Sequence, residues 1–147
     1  MYESYTKQSL PSKEYRELLG SAICVFNSNN AFVIENILHT NNINYDWYRL
    51  TDSTSGNIIN SVRVTITKDA GKEIETLFSE IIEMRNRIIH SFQVTYEGEQ
   101  VLATKTRVNN GNKQFIITEE YLLDFIKKNE KLANRLNDYR KRLVSSI

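Results

Sequence analysis

Apolar residues recur at helical spacing in three long stretches of the chain. The first stretch follows Leu10-Pro11-Ser12, where Ser12 is a suitable N-cap, and ends near His39. Its apolar pattern pauses at Asn27-Ser28-Asn29-Asn30, which predicts either a kink or a helical turn facing a polar neighbour. The second stretch covers roughly residues 70–91. The third follows Thr118, whose hydroxyl is suited to cap a final helix.

The segments between these helices are shorter and more varied. Residues 39–56 are polar and predict irregular structure, followed by a short helix over about 58–66 that could also be a strand. After the central helix, apolar and β-branched residues alternate over residues 92–105 on both sides of a Glu-Gly pair, which is typical of a β-hairpin. Residues 115–117 predict a third strand. We therefore expect a mainly α fold. The expected architecture is an antiparallel bundle of three long helices and a short one, with a small antiparallel meander before the last helix.

Composition limits the class of protein. The chain has 147 residues, 5 glycines and 1 proline, which suits a single helical domain spanning residues 1–147. A lone cysteine, Cys24, cannot form a disulfide framework, and its apolar surroundings predict a buried, inert thiol. Neither a signal peptide nor an apolar run long enough for a membrane span can be recognised. These features predict a soluble, cytoplasmic protein.

Charge is distributed unevenly although the net charge is only +1. Residues 69–126 carry 6 basic and 10 acidic side chains, whereas residues 127–147 carry 7 basic and 2 acidic ones. The last helix therefore presents either a solvated basic face or a rim that attracts phosphates. If the last helix forms such a rim, its candidates for RNA binding are Lys127, Lys128, Lys131 and Arg135. Arg87 of the central helix is a further candidate.

The end of the central helix, Arg85-Asn86-Arg87-Ile88-Ile89-His90, carries the most distinctive chemistry. Glu83 precedes Arg87 by four residues, the favoured order for a surface ion pair. Arg85 has only isoleucines at three and four residues on either side: Ile81, Ile82, Ile88 and Ile89. An arginine in such a stripe needs an acid from another element, a dry interface or an anionic ligand.

Asn86 and His90 are four residues apart and share one face of the helix, so the amide is placed to hydrogen-bond the imidazole. A histidine that moves a proton and an arginine that stabilises charge on phosphate oxygens suit metal-free phosphodiester cleavage. No carboxylate lies three or four residues from His90, and neither a metal site nor a cofactor is predicted. Arg85 and His90 point about 140° apart, so two copies of the helix would bring both groups to one cleft.

The pattern of an arginine, an asparagine, three further residues and a histidine at the end of a bundle helix resembles the HEPN superfamily. The resemblance implies a metal-independent endoribonuclease acting as a toxin or in defence against phage. It further implies that Arg85 and His90 are catalytic and Asn86 supports them, in a cleft shared by a homodimer. A controlling protein such as an antitoxin is a further implied partner. The motif covers six residues, and the meander after His90 is not part of the minimal family bundle.

Two other interpretations remain open. Arg85 could pair with an acid on a neighbouring helix, for example Glu35 or Asp124, and His90 could be a residue favoured by the negative end of the helix. Both residues would then be purely structural. Alternatively, the chain could be a non-catalytic bundle that binds RNA or a partner, as an antitoxin or immunity component does.

Overall fold

The computed structural model describes residues 1–145, which form six α-helices and a three-stranded antiparallel sheet. In chain order the helices are α1 (Lys13–Thr40), α2 (Trp47–Asp52), α3 (Ser55–Val64), α4 (Ile66–Ala70), α5 (Glu73–Ile89) and α6 (Glu119–Ser145). The strands are β1 (Phe92–Tyr96), β2 (Glu99–Lys105) and β3 (Gln114–Ile117), all between α5 and α6. The mainly helical class with a small meander is confirmed.

The longest interface joins α1 and α6, and its pairs show that these helices are parallel. Phe26 stacks on Phe125, Asn29 donates to Asn129, and Thr40 is hydrogen-bonded to Tyr139, so the partners advance together along both helices. The antiparallel relation expected for the bundle applies instead to α5 and α6, which pair Glu80 with Lys128 and Glu73 with Arg135.

The polar interruption in α1 is explained by a polar partner and not by a kink. The helix is continuous from Lys13 to Thr40, and Asn29 is buried within it. Its side-chain nitrogen donates to the main-chain oxygen and the side-chain oxygen of Asn129, at 2.7 and 3.0 Å. Buried amides need such partners because an unpaired polar group loses its hydrogen bonds to water. The two asparagines therefore place a polar layer between α1 and α6.

The sheet returns the chain to the end of the bundle where α1 begins. Glu97 and Gly98 join β1 to β2 with φ values of 53° and 79°, which fits the two-residue turn predicted from the sequence. The buried Tyr15 hydroxyl donates to the Ile117 oxygen at 2.7 Å and accepts from the Leu102 nitrogen at 3.1 Å. This contact holds β2 and β3 against α1 and explains why α6 starts beside α1.

Several local expectations were wrong. Residues 39–56 are not wholly irregular, because α1 continues to Thr40 and Asp46 caps the short α2 by accepting from the Arg49 nitrogen at 3.1 Å. The short helix expected over about 58–66 is present as α3, but it begins earlier, at Ser55, and ends at Val64, so that Ile66 starts α4 instead. Cys24 is exposed, since it lies on the outer side of α1 although its neighbours in sequence are apolar.

Candidate functional site

Arg85 lies in the last two turns of α5 and extends between α1 and α3. Its Nη2 atom donates to the Ser55 hydroxyl oxygen at 2.6 Å, at the first residue of α3. The guanidinium carbon lies 4.9 Å from the centre of the Phe26 ring of α1. A cation over an aromatic face is attracted by the ring quadrupole. The side chain is therefore held by one hydroxyl and one ring.

The charge of Arg85 has no counterion among residues 1–145. Glu35 pairs with Arg140 at 3.0 Å, and Asp124 lies 3.9 Å from Lys128, so neither acid considered in the sequence contacts Arg85. The Nε atom is buried without a hydrogen-bond partner. Burial lowers the pKa of Arg85 because it disfavours the charged form. The site is thus a partly buried cation that an anion would stabilise.

The isoleucines around Arg85 do not share one environment. Ile81, Ile82 and Ile88 are buried in the core of the chain, whereas Ile89 is 51% exposed. Phe92, at the start of β1, is 44% exposed. Only the Ile89 end of the predicted apolar stripe is therefore available to another surface.

His90 ends α5 and is exposed. Its main-chain nitrogen donates to the Asn86 oxygen at 3.0 Å, which continues the helical pattern by one residue. Within the described chain no side-chain hydrogen bond joins His90 to Asn86 or to Arg85. The structure thus places the imidazole in solvent, whereas the guanidinium is turned inward beside α3.

Two of the basic candidates, Lys128 and Arg135, pair with acids across the α5–α6 contact, and no ion pair or hydrogen bond joins any of the candidates to Arg85 within residues 1–145. Arg87 pairs with Glu83 at 3.3 Å and donates to the Lys105 oxygen at 2.5 Å. Lys128 lies 3.5 Å from Glu80, and Arg135 lies 2.6 Å from Glu73. Lys127 and Lys131 are exposed on the same helix. The basic side chains of α6 are therefore divided among several acids, since Arg140 pairs with Glu35 of α1 and Arg142 with Asp69 of α4.

Ser55 was not identified from the sequence, because a serine in a polar segment has no distinguishing pattern. The sequence signal that indicates such a partner is Arg85 itself, because its neighbours on the helix cannot form an ion pair or a hydrogen bond with its guanidinium. Together the two residues form a hydroxyl and guanidinium pair of the kind that binds oxyanions. Within residues 1–145 no three His, Cys, Asp or Glu side chains are grouped as a metal site would require.

Comparison of the chain with protein-family models, with curated proteins and with solved structures gives no match. None of the helices within residues 1–145 combines the length and the hydropathy that a membrane-spanning segment needs.

Proposed function

We propose that this protein is a metal-independent endoribonuclease of the HEPN type, acting as a toxin or as an effector in defence against phage. The observation that supports this function best is the partly buried Arg85, which has no counterion among the described residues and lies on the same helix as the exposed His90. An unpaired cation in such a position lowers the stability of the folded chain, because charged groups lose solvation on burial. Binding of a phosphodiester offsets that cost.

The reaction would need only the groups of the substrate and two side chains. The ribose 2′-hydroxyl attacks the adjacent phosphorus while the bond to the 5′-oxygen of the next nucleotide breaks. His90 accepts the proton of the attacking 2′-hydroxyl, and the leaving 5′-oxygen takes up a proton to become a hydroxyl. Arg85 stabilises the charge that develops on the phosphorane oxygens. The products are a 2′,3′-cyclic phosphate and a 5′-hydroxyl. Asn86, on the same face as His90, supports the imidazole once the site is assembled.

The active form in this proposal is a homodimer. Arg85 and His90 are five residues apart and diverge by about 140° around the helix, so one chain directs them to different sides. Two copies related by a two-fold axis bring Arg85 close to His90 of the partner subunit. The exposed Ile89 and Phe92 flank His90 and offer apolar surface for the contact.

The dimer is tested by Ile89→Asp, since Ile89 is half-exposed and its replacement leaves the core intact. Light scattering at micromolar concentration should report twice the chain mass for the wild type and the monomer mass for the variant, with cleavage lost. Ile88→Asp is unsuitable because Ile88 is buried and the variant would unfold. A fully active wild-type monomer would contradict the composite site.

A non-catalytic RNA-binding or partner-binding module is the second candidate. It is favoured by α2, where Tyr48 is 81% exposed and Trp47 is 39% exposed, since exposed aromatic rings can stack on bases or contact a protein. The two functions differ in one result. The purified wild type should cut single-stranded RNA in a strong chelator under the first proposal, and should bind it without cutting under the second.

A further inference from the structure

The geometry around Arg85 points to a second oxyanion-binding residue, Ser55, whose hydroxyl fixes the guanidinium and donates its own proton to the bound anion. This inference deepens the proposed function, on which it rests only for the identity of the natural anion, a phosphodiester of RNA. The Ser55–Arg85 pair is the cluster formed by the hydroxyl of Ser55 and the guanidinium of Arg85.

The contact between the two residues leaves a donor unused. Arg85 donates to the Ser55 oxygen at 2.6 Å, so the serine acts as the acceptor there. A hydroxyl also carries one proton of its own. No acceptor for the Ser55 proton is present among residues 1–145. The pair therefore offers a hydroxyl proton beside a guanidinium, two donors that suit adjacent oxygens of one phosphate.

Ser55 is not needed for the helix that it begins. The N-cap of α3 is Thr54, whose hydroxyl accepts from the Asn57 nitrogen at 3.3 Å. The main-chain oxygen of Thr54 accepts from the Ile58 nitrogen at 3.0 Å. Thr54 thus has the structural role, and the side chain of Ser55 is available to Arg85 and to a ligand.

The guanidinium of the pair also has a fixed orientation. The Phe26 ring lies under the guanidinium at 4.9 Å and limits its rotation. An anion would therefore meet donors whose positions are already set, which reduces the entropy cost of binding.

The first arm of the test measures anion binding without any need for activity. Inorganic phosphate is titrated at constant ionic strength, and its affinity is obtained from the rise in melting temperature. We expect similar affinity for the wild type, Ser55→Thr and Thr54→Ala. Ser55→Ala should bind about tenfold more weakly, the loss expected when one hydrogen bond to a charged group is removed. Thr54→Ala is the matched control, since it destabilises α3 but retains the pair.

The second arm separates free phosphate from RNA as the natural ligand. A 2′-O-methyl RNA oligonucleotide, which cannot be cleaved, should be displaced by phosphate from the wild type if both occupy the pair. With cleavable RNA, we expect Ser55→Ala to lower kcat about tenfold and Ser55→Thr to restore it, while Thr54→Ala leaves kcat unchanged at temperatures where it is folded.

The outcomes distinguish this inference from the proposed function. If phosphate does not stabilise the wild type, or stabilises Ser55→Ala equally well, the assignment of Ser55 is wrong whatever the cleavage assay shows. If phosphate binding requires Ser55 but the wild type cuts no RNA, the oxyanion pair stands and the ribonuclease proposal fails. Tenfold loss of both phosphate affinity and kcat in Ser55→Ala supports both.

Discussion

Replacing Arg85 with methionine separates a functional arginine from a structural one. Methionine has a similar length and no charge, so it can lie over Phe26 without a cation to solvate. We expect Arg85→Met to abolish RNA cleavage while leaving the free energy of unfolding nearly unchanged. An arginine in a structural ion pair behaves differently, because its removal leaves a buried partner charge and costs about 3–5 kcal/mol.

The expected change in the free energy of unfolding follows from the contacts of the guanidinium. Losing the charged hydrogen bond to Ser55 costs about 1.5–3 kcal/mol, and losing the contact with the Phe26 ring costs about 0.5–1 kcal/mol. Methionine in turn removes the penalty of a partly buried cation, about 2–3 kcal/mol after allowing for its remaining exposure. It also gains about 1 kcal/mol from apolar burial. The two sides nearly cancel, so the net change should be below about 1 kcal/mol.

Urea unfolding followed by circular dichroism measures this change, with Arg87→Met as the matched control on the same helix. Arg87 is only 14% exposed, pairs with Glu83 and donates to the Lys105 oxygen, so its replacement should cost about 1–3 kcal/mol but retain cleavage. If Arg85→Met lowers the free energy of unfolding by more than about 2 kcal/mol, Arg85 stabilises the folded chain as a structural residue and the reasoning is refuted.

Two further predictions concern polar groups that are partly or wholly buried. Burial raises the pKa of Tyr121 from 10.0 to about 12, so the unfolded chain loses this proton first. The stability that Tyr121 contributes below pH 10 should therefore be lost as the pH rises towards 12, and Tyr121→Phe should reduce the slope of the unfolding free energy in that range. Asn29→Leu should cost about 1–3 kcal/mol in urea unfolding because the Asn129 side-chain oxygen loses its donor. The double variant, with Asn129→Leu, should recover most of that loss, and no recovery would mean that the polar layer contributes more than its own hydrogen bonds.

The features predicted well from the sequence are those set by neighbours along the chain. Thr118 caps α6 by accepting from the Tyr121 nitrogen at 3.1 Å, and the Glu97-Gly98 pair forms the expected turn. Caps and tight turns depend on a few adjacent residues, so a local pattern is enough to identify them.

The features that were missed depend on distant parts of the chain. The parallel direction of α1 and α6 results from the sheet, which Tyr15 holds at the start of α1. The partner of Arg85 is Ser55, thirty residues away, and the ring beneath it belongs to α1. A sequence pattern could show that Arg85 lacks a helical partner, but it could not identify which residue from another element would supply one.

The central claim is tested most directly by RNA cleavage with purified wild type beside His90→Ala, both in excess chelator and with the ends of the products analysed. His90 is exposed and its side chain has no partner among the described residues, so the variant should melt within about 2 °C of the wild type. The account predicts that the wild type cuts RNA but not DNA, leaves a 2′,3′-cyclic phosphate, and that His90→Ala does not cut. Cleavage by a folded His90→Ala at the wild-type rate, or cleavage by the wild type that stops in chelator, would contradict it.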